Sequence, residues 1–118
     1  MPAELRAEVE ARAGEVLDAW RAEVLRPPPE SPESNHLTEL WGKWHGSAYL
    51  FGGTYASPGP RALSPTFRVK YARMTSVGGG RFDLHYMRHT GQWWPLGQTV
   101  PLEEALRRIR TEPHFRPY

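Results

Sequence analysis

The period of the apolar pattern changes once along this chain, and that change decides its architecture. Leu5, Val9, Ala13, Val16, Trp20 and Val24 recur at spacings of three or four, with Leu17 and Leu25 widening the stripe. Such spacing marks a helix with one apolar face, expected over residues 3–26. Pro27, Pro28 and Pro29 end it, because each lacks an amide proton and restricts the residue before it. A connector of proline, glutamate and serine fills 27–36, and from Leu37 onward the pattern falls to period two.

At 1.5 Å per residue the helix is about 36 Å long, roughly as long as the rest of so small a domain is wide. An apolar stripe does not say which surface buries it, so two coverings stay open: the chain's own sheet and a second copy. Leu5, Val9, Val16, Trp20 and Val24 are the expected interaction residues, and a homodimer through this helix is the expected assembly. Gly14 costs up to about 1 kcal/mol relative to alanine in a helix interior, and marks either a close approach or a tolerated surface position.

The strands follow. The 37–55 run sets Trp41, Trp44, Tyr49, Leu50 and Phe51 among Gly42, Gly46, Gly52 and Gly53. Read with period two, Trp41, Lys43, His45, Ser47, Tyr49 and Phe51 share a face. Neither face is cleanly polar, so two strands or one bent strand are expected, with a turn or bulge at His45-Gly46-Ser47. After a proline-punctuated loop over 56–65, residues 67–77, 81–89 and 92–96 read as three strands of an antiparallel meander, turned at Gly78-Gly79-Gly80 and Thr90-Gly91. Phe67, Val69 and Tyr71 share the core face with Phe82, Leu84 and Tyr86. Arg68, Lys70, Asp83 and His85 point the other way. A two-residue turn at Thr90-Gly91 sets Met87 opposite Trp94 and sends Trp94 to the His85 face.

A last helix is expected over 101–111, with Pro101 in its first turn and Leu102, Ala105, Leu106 and Ile109 as its buried stripe. Glu103 and Glu104 suit the positive end of its dipole, and Arg107, Arg108 and Arg110 the negative end. Phe115 is placed to pin the tail to the sheet. The fold class is therefore α+β: a single antiparallel sheet of four to five strands over 37–97, a meander, flanked by a long N-terminal helix and a short C-terminal helix, in one domain.

With 118 residues and no cysteine, one core held by packing alone is expected, in the cytoplasm. No stretch is apolar for long enough to suggest a membrane span, and the acidic start does not resemble a secretion signal. Charge is segregated. Residues 1–35 carry eight acids against four arginines, a net of −4, and residues 36–118 five acids against eleven basic residues, a net of +6. The basic part also holds four of the five tryptophans, which is the composition of a surface that meets a polyanion or an acidic protein.

No catalytic, cofactor or metal motif accompanies it. His85 and His89 share a strand face but stand roughly 13 Å apart, too far to chelate one ion. Asp83 and His85 pair without a nucleophile beside them, and Ser47, Ser57 and Ser64 lie in no elbow motif. Gly52-Gly53 lacks the lysine and the helix of a phosphate loop. Neither a cofactor nor a metal is expected, and the enzyme reading is disfavoured; its place would be a pocket lined by Trp41, Trp44, Tyr49 and Tyr71. Two functions stand. One is a small protein-interaction or regulatory module acting as a homo-oligomer through its first helix. The other is weak binding of a polyanion, such as single-stranded nucleic acid, by a basic aromatic sheet face with Arg68, Lys70, His85, Trp94, Arg107 and Arg108, Trp94 serving as stacking platform.

Overall fold

A computed structural model describes residues 1–26, 35–59 and 64–117. The triple proline and most of the 27–36 connector lie outside the described residues, as does part of the 56–65 loop. Helix α1 (Ala3–Val24) comes first, followed by strands β1 (His36–His45), β2 (Ala48–Ala56), β3 (Thr66–Gly78), β4 (Arg81–Met87), β5 (Trp93–Pro95) and β6 (Val100–Pro101). Helix α2 (Leu102–Thr111) and a single 3-10 turn (Pro113–Phe115) end the fold. The sheet is an antiparallel meander in the order β1-β2-β3-β4-β5, with β6 pairing β4 further along the same edge. This is the expected α+β architecture. Among the described residues no helix is long and apolar enough to cross a membrane.

Both helices lie on one face of the sheet. Val9, Ala13, Val16, Leu17 and Trp20 of α1 and Leu102, Ala105, Leu106 and Ile109 of α2 join one buried cluster with Phe51, Met74, Phe82 and Leu84. Leu5 and Val24 pack partly buried against it. The stripe read as available to a second copy is thus covered within the chain, and the helix does not overhang its sheet. At about 3.3 Å per residue the 13 residues of β3 span about 43 Å, against about 33 Å for the 22 residues of α1. Gly14 has nothing near its missing side chain, so it is a surface glycine.

Trp20 is the centre of the core. Its ring has no exposed surface and meets Phe51 edge-on at 5.8 Å and Tyr71 at 6.3 Å. Tyr71 reaches it through a bulge: Phe51 pairs with Ala72 but Gly52 with Lys70, so Tyr71 is the extra residue of β3. Two consecutive buried residues, Tyr71 and Ala72, face inward only because the bulge interrupts the alternation. The Tyr71 hydroxyl then meets that of Tyr55 at 2.5 Å.

The first hairpin closes in two residues, Gly46-Ser47, between the pair His45 and Ala48. Gly46 has φ +59, the positive angle that the first position of a type II′ turn requires. The turn also breaks the expected face. Across it Trp44 pairs with Tyr49 and Gly42 with Phe51, so these face the helices while Trp41, Lys43 and Leu50 face away. The indole of Trp44 meets Tyr49 edge-on at 5.2 Å and donates to the Glu10 carboxylate at 2.6 Å, with the Arg6 guanidinium over it at 4.4 Å. This contact docks the first half of α1 on the hairpin. At the other end, Glu23 of α1 accepts from Arg110 of α2 and from Arg116 of the tail. Phe115 is fully buried, so the tail is pinned as expected. Pro101 precedes α2 as its N-cap in extended backbone and not in its first turn, because it still pairs with Arg81 of β4.

Trp20→Ala is expected to lower unfolding stability by about 3–5 kcal/mol, since a fully buried ring leaves a cavity the two helices cannot close. Its indole N–H has no acceptor among the described residues, so Trp20→Phe, which also removes that unsatisfied donor, costs less. Chemical denaturation reads both; midpoints unchanged in Trp20→Ala are incompatible with this packing.

Candidate functional site

The face of the sheet opposite the helices follows from the register. One row crosses five strands: Lys43, Leu50, Arg73, His85 and Pro95 are successive partners. A second row runs Trp41, Gly52 and Lys70, and Arg68 pairs with Thr54 beyond it. Trp93 sits opposite Met87 on the same face. Trp41 lies so close over the backbone that a Cβ on Gly52 would come within 2.5 Å of its ring; only glycine lets the indole lie there. Lys43 and Arg68 stand over the Trp41 ring at 5.2 and 5.3 Å, and Arg73 over Trp93 at 5.1 Å. Each contact is within reach of the attraction between a cation and an aromatic quadrupole.

Charge divides sharply between the two faces. Among the described residues Lys43, Arg68, Lys70 and Arg73 form no salt bridge. The helical arginines do: Arg12 with Glu8, Glu15 and Glu103, Arg21 with Asp18, Arg107 with Glu104 at 3.5 Å, and Arg108 with Glu112 at 2.8 Å. The acids of the two helices, with Glu112, therefore neutralise the helices and the tail, and among the described residues none of them pairs with Lys43, Arg68, Lys70 or Arg73. The same face also carries donors without acceptors: Trp41 Nε1 and Arg73 Nε are buried with no partner among the described residues, as is His85 Nδ1.

Of the residues singled out in the sequence, Arg68, Lys70 and His85 come together on this face. Trp94 does not join them. It pairs with Tyr86, on the face of the helices, 45% exposed, with Arg88 stacked at 4.7 Å. The reason is the turn. Arg88 N–H bonds to Gln92 O and Gly91 N–H to Arg88 O, both at 2.9 Å, and Gly91 has positive φ while among the described residues none other than glycine does. That is the three-residue loop of a type I turn closed by a glycine bulge. A two-residue turn of type I′ needs positive φ at Thr90 as well, which a β-branched residue resists. The longer loop shifts the register by one and exchanges the two tryptophans, so Trp93 takes the place expected of Trp94. Arg107 and Arg108 are also set apart, on α2 across the sheet and already paired.

Sequence reasoning missed Trp41, Lys43, Arg73 and Trp93 as site residues. The signal for Arg73 was the adjacent apolar pair Tyr71-Ala72, which breaks the alternation and re-phases the strand. Of the pocket expected between Trp41, Trp44, Tyr49 and Tyr71, only Trp41 and Tyr49 line a common groove among the described residues, since Trp41 pairs on the other face of the sheet from Trp44 and Tyr71. A groove of ≈ 470 Å³ instead runs between α1 and the β1 edge, lined in part by Asp18, Arg21, Glu39 and Tyr49. Arg21 crosses to the edge and donates to the Leu40 carbonyl at 2.8 Å. Burial, and after it Glu10, pushes the Tyr49 hydroxyl above its ordinary pKa, with Arg21 opposing, so it stays protonated. Among the described residues no group of three or more potential ligands is placed to hold a metal ion.

The His85 imidazole is held below its ordinary pKa of 6.5, first by burial and then by the Arg73 guanidinium, with Asp83 opposing both. Unfolded His85 takes up a proton near 6.5 and folded His85 only at lower pH, so stability from this residue is intact above 6.5 and falls as the pH drops toward the folded value. An NMR titration of the ring is expected to show a midpoint below 6.5 that rises in Arg73→Ala and falls further in Asp83→Asn. A midpoint indifferent to both substitutions contradicts the arrangement.

No curated protein and no solved structure matches the chain. A family match spans residues 1–117, both helices and all six strands together, and the chain belongs to the family described as domain of unknown function DUF3024.

Proposed function

We propose that the helix-free face of the sheet binds single-stranded nucleic acid in the cytoplasm. One observation carries the reading: four cations without a carboxylate partner among the described residues, three of them stacked on two tryptophans, share one side of one sheet. Backbone phosphates supply partners for these four cations, which Asp83 on the same face does not pair with. Bases have the flat surfaces that indole and guanidinium planes accept without regard to sequence. Strands are close to 4.8 Å apart, so Trp41 on β1 and Trp93 on β5 stand far enough apart for several nucleotides to lie between them. The alternative, a protein-interaction module dimerising through its first helix, draws no support from α1, whose apolar stripe is covered by the sheet.

Fluorescence anisotropy with labelled single strands at low salt is expected to saturate in the micromolar range. Four neutralised phosphates give a slope of about −3 in log K against log salt, at about −0.7 per contact for single strands. Trp41→Ala and Trp93→Ala each remove about 1–3 kcal/mol of binding, whereas Arg107→Ala changes neither affinity nor slope. Absence of a saturable signal by about 50 μM protein overturns the proposal, since that lies beyond the range expected from its salt-dependent contacts. Capture of an acidic protein in its place reassigns the same face to protein recognition.

A further inference from the structure

Strand β4 leaves β3 after the pair Ala72 and Tyr86, and a cavity of ≈ 250 Å³ opens where they part. Lys70 and Tyr71 of β3 line one side, Met87, Arg88 and His89 the second, and Pro113, His114 and Arg116 of the tail close the third. Three cations and two imidazoles therefore line a space that has no carboxylate side chain in its lining among the described residues. Three of the five are held by contacts outside the cavity. Arg88 stacks on Trp94 at 4.7 Å, His114 on Tyr86 at 4.8 Å, and Arg116 is tethered to Glu23 at 2.9 Å. Arg116 already has Glu23 as counter-charge, but Lys70 and Arg88 have none among the described residues, and positive groups held close together repel one another unless an anion enters.

We infer that this cavity is a binding site for a phosphomonoester dianion. A tetrahedral anion with three unesterified oxygens offers an acceptor to each of Lys70, Arg88 and Arg116, and the guanidinium forks suit phosphate geometry. The volume admits a phosphoryl group and the first atoms of whatever carries it, but not a folded polymer. The site goes beyond strand binding and does not depend on it, though Lys70 belongs to both surfaces and places the cavity at one end of the basic face. Two sources have this chemistry: the terminal phosphate of a nucleic-acid strand and a small phosphorylated molecule.

The test is titration of the full chain with inorganic phosphate, followed by amide NMR at constant ionic strength with chloride as control. Saturable shifts at Lys70, Arg88, His89 and His114 are expected at millimolar phosphate. Arg88→Ala weakens the binding roughly tenfold, as loss of one charge-assisted contact does, His89→Ala weakens it less, and Arg107→Ala leaves it unchanged. Strands identical except for a 5′-phosphate or 5′-hydroxyl separate the sources. Tighter binding of the phosphorylated strand, lost in Arg88→Ala while the hydroxyl strand is unaffected, assigns the site to a strand terminus. Equal binding of both strands, or of neither, alongside saturable phosphate binding assigns it to a small phosphorylated molecule. Shifts that chloride reproduces, or none up to about 20 mM phosphate, where a site with charge-assisted contacts should fill, overturn the inference.

Discussion

The burial of Trp20 is the contact on which the rest of the molecule depends. A single indole on α1 is enclosed by Phe51 of β2 and by Tyr71 of β3, and Tyr71 reaches it only because a bulge turns that residue inward. The same bulge re-phases β3, sending Arg73 to the opposite face beside His85. A core requirement on one side of the sheet thus sets the chemistry of the other. With α2 and Phe115 completing the same cluster, the buried apolar groups of both helices are committed to one face. Among the described residues, the other face is covered only by the side chains that grow from it.

Electrostatics follows that division. An acidic first third and a basic remainder suggest mutual neutralisation, and the structure shows a narrower version of it. Glu23 ties α1 to α2 and the tail, and Glu10 receives the Trp44 indole while meeting Arg6. None of these carboxylates reaches the sheet's outer face. Exposed ion pairs of this kind contribute little stability individually, about 0–1 kcal/mol, so their consequence lies in which cations they leave unpaired. Lys43, Arg68 and Arg73 remain over two indoles with Lys70 on the same face, and the His85 imidazole among them is kept neutral by burial and by Arg73.

Much of this was legible in the sequence where a local pattern determines the outcome. The stripe from Leu5 to Val24, the glycine turn at 78–80, and the stripe of Leu102, Ala105, Leu106 and Ile109 define helices and strands without tertiary help. So does the alternation that puts Arg68, Lys70 and His85 on one side. What escaped was set by single turns and long-range contacts. A two-residue turn at Gly46-Ser47 separated Trp41 from Tyr49, and a three-residue loop at His89-Thr90-Gly91 exchanged Trp93 with Trp94. The inability of Thr90 to take positive φ was a readable signal. The pairing of Arg110 and Arg116 with Glu23 spans most of the chain and has no local trace.

The central claim is that the two faces of this sheet have different work: one holds the helices and the other meets a polyanion. Amide NMR of the full chain with a short oligothymidylate tests it at every residue in one experiment. The account predicts saturable shifts along alternate positions of the strands, centred on Trp41, Gly52, Lys70, Arg73, His85 and Trp93, with α1 and α2 unmoved. Shifts centred on the α2 arginines or on the exposed side of α1 contradict it.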